Sequence, residues 1–110
     1  MCQAAIAKPL LAAGILTTQI KMVHELKTWP EYFEQVKNGN KPFEVRKNDR
    51  YFSEGDELLL KEYVPKGYYE DGLNDDKYTG RILHRKVSYI LQGSQFGIQE
   101  GFVVMGLQVV

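Results

Sequence analysis

The stretch Gly39-Asn40-Lys41-Pro42-Phe43-Glu44-Val45-Arg46-Lys47-Asn48-Asp49-Arg50-Tyr51-Phe52 decides how this chain folds. Gly39 follows a short helical pattern and reads as the residue that ends that helix in a left-handed conformation. Pro42 forbids helix continuation and opens an extended run. Strand side chains alternate, so Phe43 and Val45 point one way and Glu44, Arg46 and Asn48 the other. The apolar pair is expected to face the core. The other face receives an acid, a guanidinium and an amide, with Lys41 just upstream. That row suits an anion or a nucleobase edge, and it equally suits a solvated strand face, the commoner fate of charged side chains.

Working outward, Val23 to Lys27 reads as a first strand. Thr28-Trp29-Pro30-Glu31 has the form of a capping box, the Thr28 hydroxyl and Glu31 carboxylate each satisfying a free amide. Trp29, Phe33 and Val36 then recur at helical spacing and are expected in the core, until Asn38-Gly39 stops the helix. Glu54-Gly55-Asp56 reads as a turn, Glu57 to Val64 as a third strand, and Gly67 to Asp76 as a polar loop. Tyr78 to Leu91 makes a long strand whose broken alternation at Ile82-Leu83 and Ile90-Leu91 points to a bulge. Phe102 to Val110 closes the set.

These elements predict an α+β fold, a small mixed β-barrel of about five strands with one main helix after the first strand. Strands closing on themselves would remove exposed edges. Inward positions are expected at Phe43, Val45, Leu58, Leu60, Val87, Tyr89, Val103, Met105 and Leu107, with Phe33 and Val36 packing the helix against them.

At 110 residues the chain has room for one core. A formal net charge of zero means that no bulk field drives it onto nucleic acid or membrane. The zero hides an asymmetry: residues 54–76 carry a net −6 and residues 77–86 a net +4. Pairing of these two segments as neighbouring strands would set the opposite charges face to face.

Cys2 is the single cysteine, which excludes an internal disulfide and a thiolate zinc cluster. His24 and His84 lack metal-ligand spacing, so no metal or other cofactor is expected. The Asp71 to Asp76 loop lacks the ligand spacing of a calcium loop. A reducing, cytoplasmic setting fits this composition. Residues 1–21 differ in character, rich in Ala, Leu and Ile, with a longest apolar run too short to span a bilayer. They are expected to be an extension outside a domain of residues 22–110, and no membrane role is expected.

The order Gly39-x-Lys41-x-x-Glu44-x-Arg46, after a helix and before Phe52-x-x-Gly55-Asp56-x-Leu58-x-Leu60, resembles the signature of ASCH domains of the PUA-like superfamily of small β-barrels. It is similar in particular to a short branch known only as a domain of unknown function. The opening His24-x-Leu26-Lys27, the Asn48-Asp49-Arg50 extension and the Tyr78-Thr79-Gly80-Arg81 strand start carry that narrower likeness. The resemblance covers roughly residues 22–110. It implies a groove beside the first helix that binds RNA or a modified nucleoside or nucleotide.

The candidate ligand-binding residues are His24, Lys27, Lys41, Glu44, Arg46, Asn48 and Tyr63. His24 and Lys27 have opposite parity and cannot both face one cleft on a regular strand. Arg46 could pair bidentately with phosphate or a base edge, Glu44 could accept from an exocyclic amine, and Tyr51 or Tyr63 could stack. The charge balance favours a short or single-nucleotide ligand over a long tract.

Some ASCH proteins are amidohydrolases that remove an acyl group from a modified cytidine nucleoside. Their motif lysine corresponds to Lys41, but their threonine nucleophile falls where this chain has Glu44, and their later catalytic glutamate has no evident counterpart. If the chain is an enzyme, Lys41 and Glu44 are the candidate catalytic pair, activating water and stabilising an oxyanion. The preferred reading is a non-catalytic RNA- or nucleotide-binding module. The alternatives are that amidohydrolase and a protein-interaction or regulatory domain. No oligomeric state follows from the sequence.

Overall fold

The computed structural model describes residues 21–110. The expected N-terminal extension therefore lies outside the described residues, except for Lys21. Five strands and one short helix follow in order: β1 (Val23–Thr28), α1 (Pro30–Lys37), β2 (Phe43–Lys47), β3 (Glu57–Val64), β4 (Lys77–Gln92) and β5 (Phe102–Val109). They form a single curled sheet, a half-barrel, in the order β1-β3-β4-β5-β2. Strands β1 and β3 run parallel, which the α1 crossover permits, and the other three pairings are antiparallel.

The core sits on the concave face. Leu26, Leu58, Leu60, Val87, Val103 and Met105 point into it from the sheet, and Phe52 and Val36 complete the cluster. Phe33, four residues after Trp29 in sequence, is 1% exposed on the buried side of α1. The helix stops as the sequence implies: Asn38 caps it and Gly39 takes φ 87°.

Three local expectations fail, each for a physical reason. The capping box does not form. Thr28 ends β1 with its side chain buried, Trp29 becomes the N-cap in extended geometry without a side-chain bond, and Pro30 takes the first helical position. Trp29 is accordingly half exposed instead of core, because the helix begins after it and Phe33 and Val36 alone fill the buried stripe. On β2 the inward row is the charged one. Glu44 pairs with Met105 and Arg46 with Val103, both core residues, so Phe43 and Val45 turn outward.

Tyr89 also faces outward, and a bulge is the cause. Val87 pairs with Leu107 but Tyr89 pairs with Gly106, leaving Ser88 as the extra residue that inverts the alternation. Gly106 makes room for it, since a Cβ there would lie 2.7 Å from the Ser88 hydroxyl. A second irregularity lies opposite Glu62, where Gly80 takes φ 96°. There Thr79 donates to Glu62 at 2.7 Å, and Arg81 reaches both Glu62 and Glu34 of α1. Opposite charges of β3 and β4 do meet in Arg81 with Glu62, and His84 Nε2 lies 2.8 Å from Glu57 Oε1 on the same pair of strands.

The sheet does not close on itself by backbone pairing: β1 and β2 are its two edges. The Met22 carbonyl accepts from the Glu57 amide, so by alternation the Glu25 and Lys27 carbonyls point to the open side. Two guanidinium groups from the far edge meet them. Arg46 donates to the Lys27 carbonyl and Arg50 to the Glu25 carbonyl, both at 2.6 Å. Side chains thus tie a seam that main-chain bonds leave open.

Candidate functional site

A cavity of about 410 Å³ opens at that seam, lined by Lys27, Thr28, Trp29, Tyr32, Lys41, Glu44, Val45 and Arg46. Its geometry follows from the two edges and the helix start. The end of β1 supplies Lys27 and Thr28, the α1 entry supplies Trp29 and Tyr32, and the β2 edge supplies the charged row.

Glu44 is the hub. Its carboxylate, 4% exposed, accepts from Lys41 Nζ at 3.1 Å on one oxygen and from Arg46 Nε at 2.7 Å on the other. Arg46 Nη2 continues to the Lys27 carbonyl and, at 3.4 Å, to the Thr28 hydroxyl. Lys41 also donates to the Phe43 carbonyl at 3.0 Å. A buried carboxylate without such partners would be strongly unfavourable, and these bonds explain how a charged row occupies the core side of a strand. Among the described residues the lining includes Lys27, Lys41 and Arg46 against Glu44, with the Lys27 ammonium turned toward the Tyr63 ring.

The apolar walls are aromatic. The Trp29 and Tyr32 rings lie 6.3 Å apart and 23° from parallel. Lys41 Nζ stands 5.8 Å from the Tyr32 ring and 5.0 Å from the Phe43 ring. Tyr68 packs edge-on against Trp29 and donates weakly to Glu31, the residue expected to serve the capping box.

Of the seven candidate ligand residues, the structure brings Lys27, Lys41, Glu44 and Arg46 together in this groove and leaves three elsewhere. His24 is buried in the core, its Nε2 2.8 Å from Asp56 Oδ2 and its ring against Phe52. The alternation of β1 turns it to the core side, opposite to Lys27. Asn48 holds the chain after β2 by accepting from the Phe52 amide through its side chain. Tyr63 lies on the outer sheet face, where its hydroxyl donates to Asp76 and Lys27 covers its ring. Tyr51, named as a stacking candidate, does not line the groove, and the pairing of Glu44 with two cations leaves it a counter-ion more than an acceptor for a ligand amine.

The sequence reading missed Tyr32 and expected Trp29 in the core, with stacking on a ligand as its lesser alternative, whereas Trp29 is half exposed. The available signal was slight: Trp29 and Tyr32 are i,i+3 neighbours, close enough at a helix start for their rings to meet. Among the described residues, no group of three or more His, Cys, Asp or Glu is arranged to hold a metal ion. No helix among them is long and apolar enough to cross a membrane.

Fold and site together define a small, mostly β domain whose open seam carries a cationic groove with aromatic walls. The chain belongs to the DUF3850 family, a domain of unknown function, whose model matches residues 23–107. It is also 45% identical over 66 residues to an uncharacterized 12.9 kDa protein in the GpA 3′ region of Escherichia phage P2. That match covers 60% of this chain, which spans about half the length of this relative (51%).

Proposed function

We propose that this chain is an RNA- or nucleotide-binding module of the ASCH, PUA-like type, which takes one nucleotide unit in the seam groove. One observation carries the reading: two neighbouring aromatic rings, Trp29 and Tyr32, share a cavity of about 410 Å³ with Lys27, Lys41 and Arg46. Flat rings offer a stacking surface to any base, and ammonium groups meet phosphate as point charges. The cavity lies within the range of small-ligand sites, which matches a single nucleotide better than a tract. Arg46 and Lys41 both bond Glu44, so an arriving phosphate competes with that carboxylate for them and draws the Lys27 ammonium from the Tyr63 ring.

Trp29 is the only tryptophan of the chain and sits in the groove, so its emission reports occupancy directly. Titration of nucleoside monophosphates and free nucleosides at low salt is expected to quench it saturably, nucleotides binding tighter than nucleosides. Trp29→Ala, followed by calorimetry, is expected to lose roughly five- to a hundredfold in affinity, the range for one base–aromatic stack. Unchanged emission and no heat with every nucleotide would overturn the proposal. Acylated cytidine belongs in the same series, with products monitored, because turnover there would replace the binding reading with hydrolysis.

A further inference from the structure

Beside the groove, the outer sheet face carries a second arrangement of rings and ammonium groups. Tyr63 on β3 and Tyr78 on β4 are register partners, with ring centroids 5.1 Å apart and planes at 62°. Tyr78 is half exposed. Lys27 Nζ lies 4.4 Å from the Tyr63 ring centroid and Lys61 Nζ 4.8 Å from that of Tyr78. Lys27 and Lys61 are themselves register partners on β1 and β3. Lys27 also lines the groove, so the two features adjoin at that residue.

Neither ring belongs to the buried core, and the Tyr78 ring stands half open to solvent beside its lysine. We infer that Tyr63 and Tyr78, with Lys27 and Lys61, form a second stacking subsite, which takes the neighbouring base of a single-stranded nucleic acid whose first unit occupies the groove. The inference rests on the groove reading and adds to it the class of partner, an oligonucleotide instead of a free nucleotide. A lysine over a ring face is a weak placeholder. An arriving base takes the ring face, and the displaced ammonium moves to the phosphate that accompanies it.

Charge sets the extent of the subsite. Lys61 is shared with Glu25 at 3.3 Å, and the Tyr63 hydroxyl is held by Asp76. Beyond them the loop carries Glu70, Asp71 and Asp75, which repel a phosphate backbone. The platform therefore accommodates a short extension and ends at the acidic loop.

The experiment compares a mononucleotide with a tetranucleotide of the same base by calorimetry over a range of salt concentrations, using the full chain. The tetranucleotide is expected to bind roughly tenfold tighter. Tyr78→Ala should erase that gain and leave the mononucleotide unaffected, whereas Tyr78→Trp should retain it. Lys61→Ala should flatten the salt dependence of tetranucleotide binding by about 0.7 in the log–log slope, without altering that of the mononucleotide. Equal affinities for the two ligands, or a gain that survives Tyr78→Ala, would overturn the inference while leaving the groove reading intact. Absence of binding by both ligands would remove the groove reading and this inference with it.

Discussion

Replacing Arg46 with alanine removes three contacts at once: Nε to Glu44 at 2.7 Å, and Nη2 to the Lys27 carbonyl and the Thr28 hydroxyl. The Lys27 carbonyl lies at an open edge, where water replaces the guanidinium at little cost. The Glu44 carboxylate lies on the core side at 4% exposure and has only Lys41 left. A charge-assisted hydrogen bond contributes about 1.5–3 kcal/mol, and orphaning a buried charge completely costs about 3–5 kcal/mol. With Lys41 retained, the loss should fall between these limits, at about 2–3 kcal/mol. For a domain of this size that lowers the melting midpoint by roughly 10–20 °C.

Calorimetry and urea titration measure this directly, the urea midpoint moving at constant slope. Arg46→Lys should recover part of the loss, because it restores the charge without the planar fork that reaches Lys27. The double variant Glu44→Gln/Arg46→Ala should lose less than the sum of its parts, by at least about 1 kcal/mol, because no buried charge is then left unpaired. A midpoint for Arg46→Ala within about 2 °C of wild type, under roughly 0.5 kcal/mol, would refute the view that the row is a buried ion triad.

Phe33→Ala should cost about 3–5 kcal/mol in urea unfolding, the scale for emptying a fully buried aromatic site, with the Arg81 guanidinium 4.7 Å over the ring losing its support as well. The Tyr63 hydroxyl is held by the Asp76 carboxylate, which raises the phenol above the usual tyrosine range and lowers the carboxyl below its own. The carboxyl contribution is present above the unfolded aspartate pKa and fades as pH falls through the lowered value, while that of the phenol is present below the unfolded tyrosine pKa and fades as pH rises through the raised one. Asp76→Asn should therefore bring the Tyr63 titration down toward about 10, read by phenolate absorbance, and no change in that titration would show that the contact is not kept in solution.

The strand boundaries were legible because each is set by a local device: Pro42 before β2, the Gly55 turn before β3, the polar loop before β4. Which face of β2 is buried was not, because alternation fixes the period but not the phase. A hydrophobicity rule puts Phe43 and Val45 inside, and here the pairing of Glu44 with Met105 decides against it. Local sequence could not supply that register. Tyr89 failed for a related reason: the bulge was legible, but its position at Ser88, and so the parity beyond it, depended on the β5 partner. Thr28 was read as a cap because its spacing to Glu31 is right. Its hydroxyl instead serves Arg46, a contact across 18 residues of sequence.

The open seam and the charged row explain one another. A fifth ladder of main-chain bonds between β1 and β2 would bring those strands to about 4.8 Å and leave no cavity. Side-chain bonds from Arg46 and Arg50 reach farther, so they satisfy the Glu25 and Lys27 carbonyls while holding the edges apart. Those arginines also blunt an edge that would otherwise invite pairing with another chain. Arg46 needs a counter-ion on the core side, and Glu44 is the inward residue two positions before it. Lys41 then offsets the remaining carboxylate oxygen and brings a second cation to the rim. The gap that these side chains maintain is where Trp29 and Tyr32 come to line a cavity, so the groove is a consequence of closing a half-barrel with side chains instead of backbone.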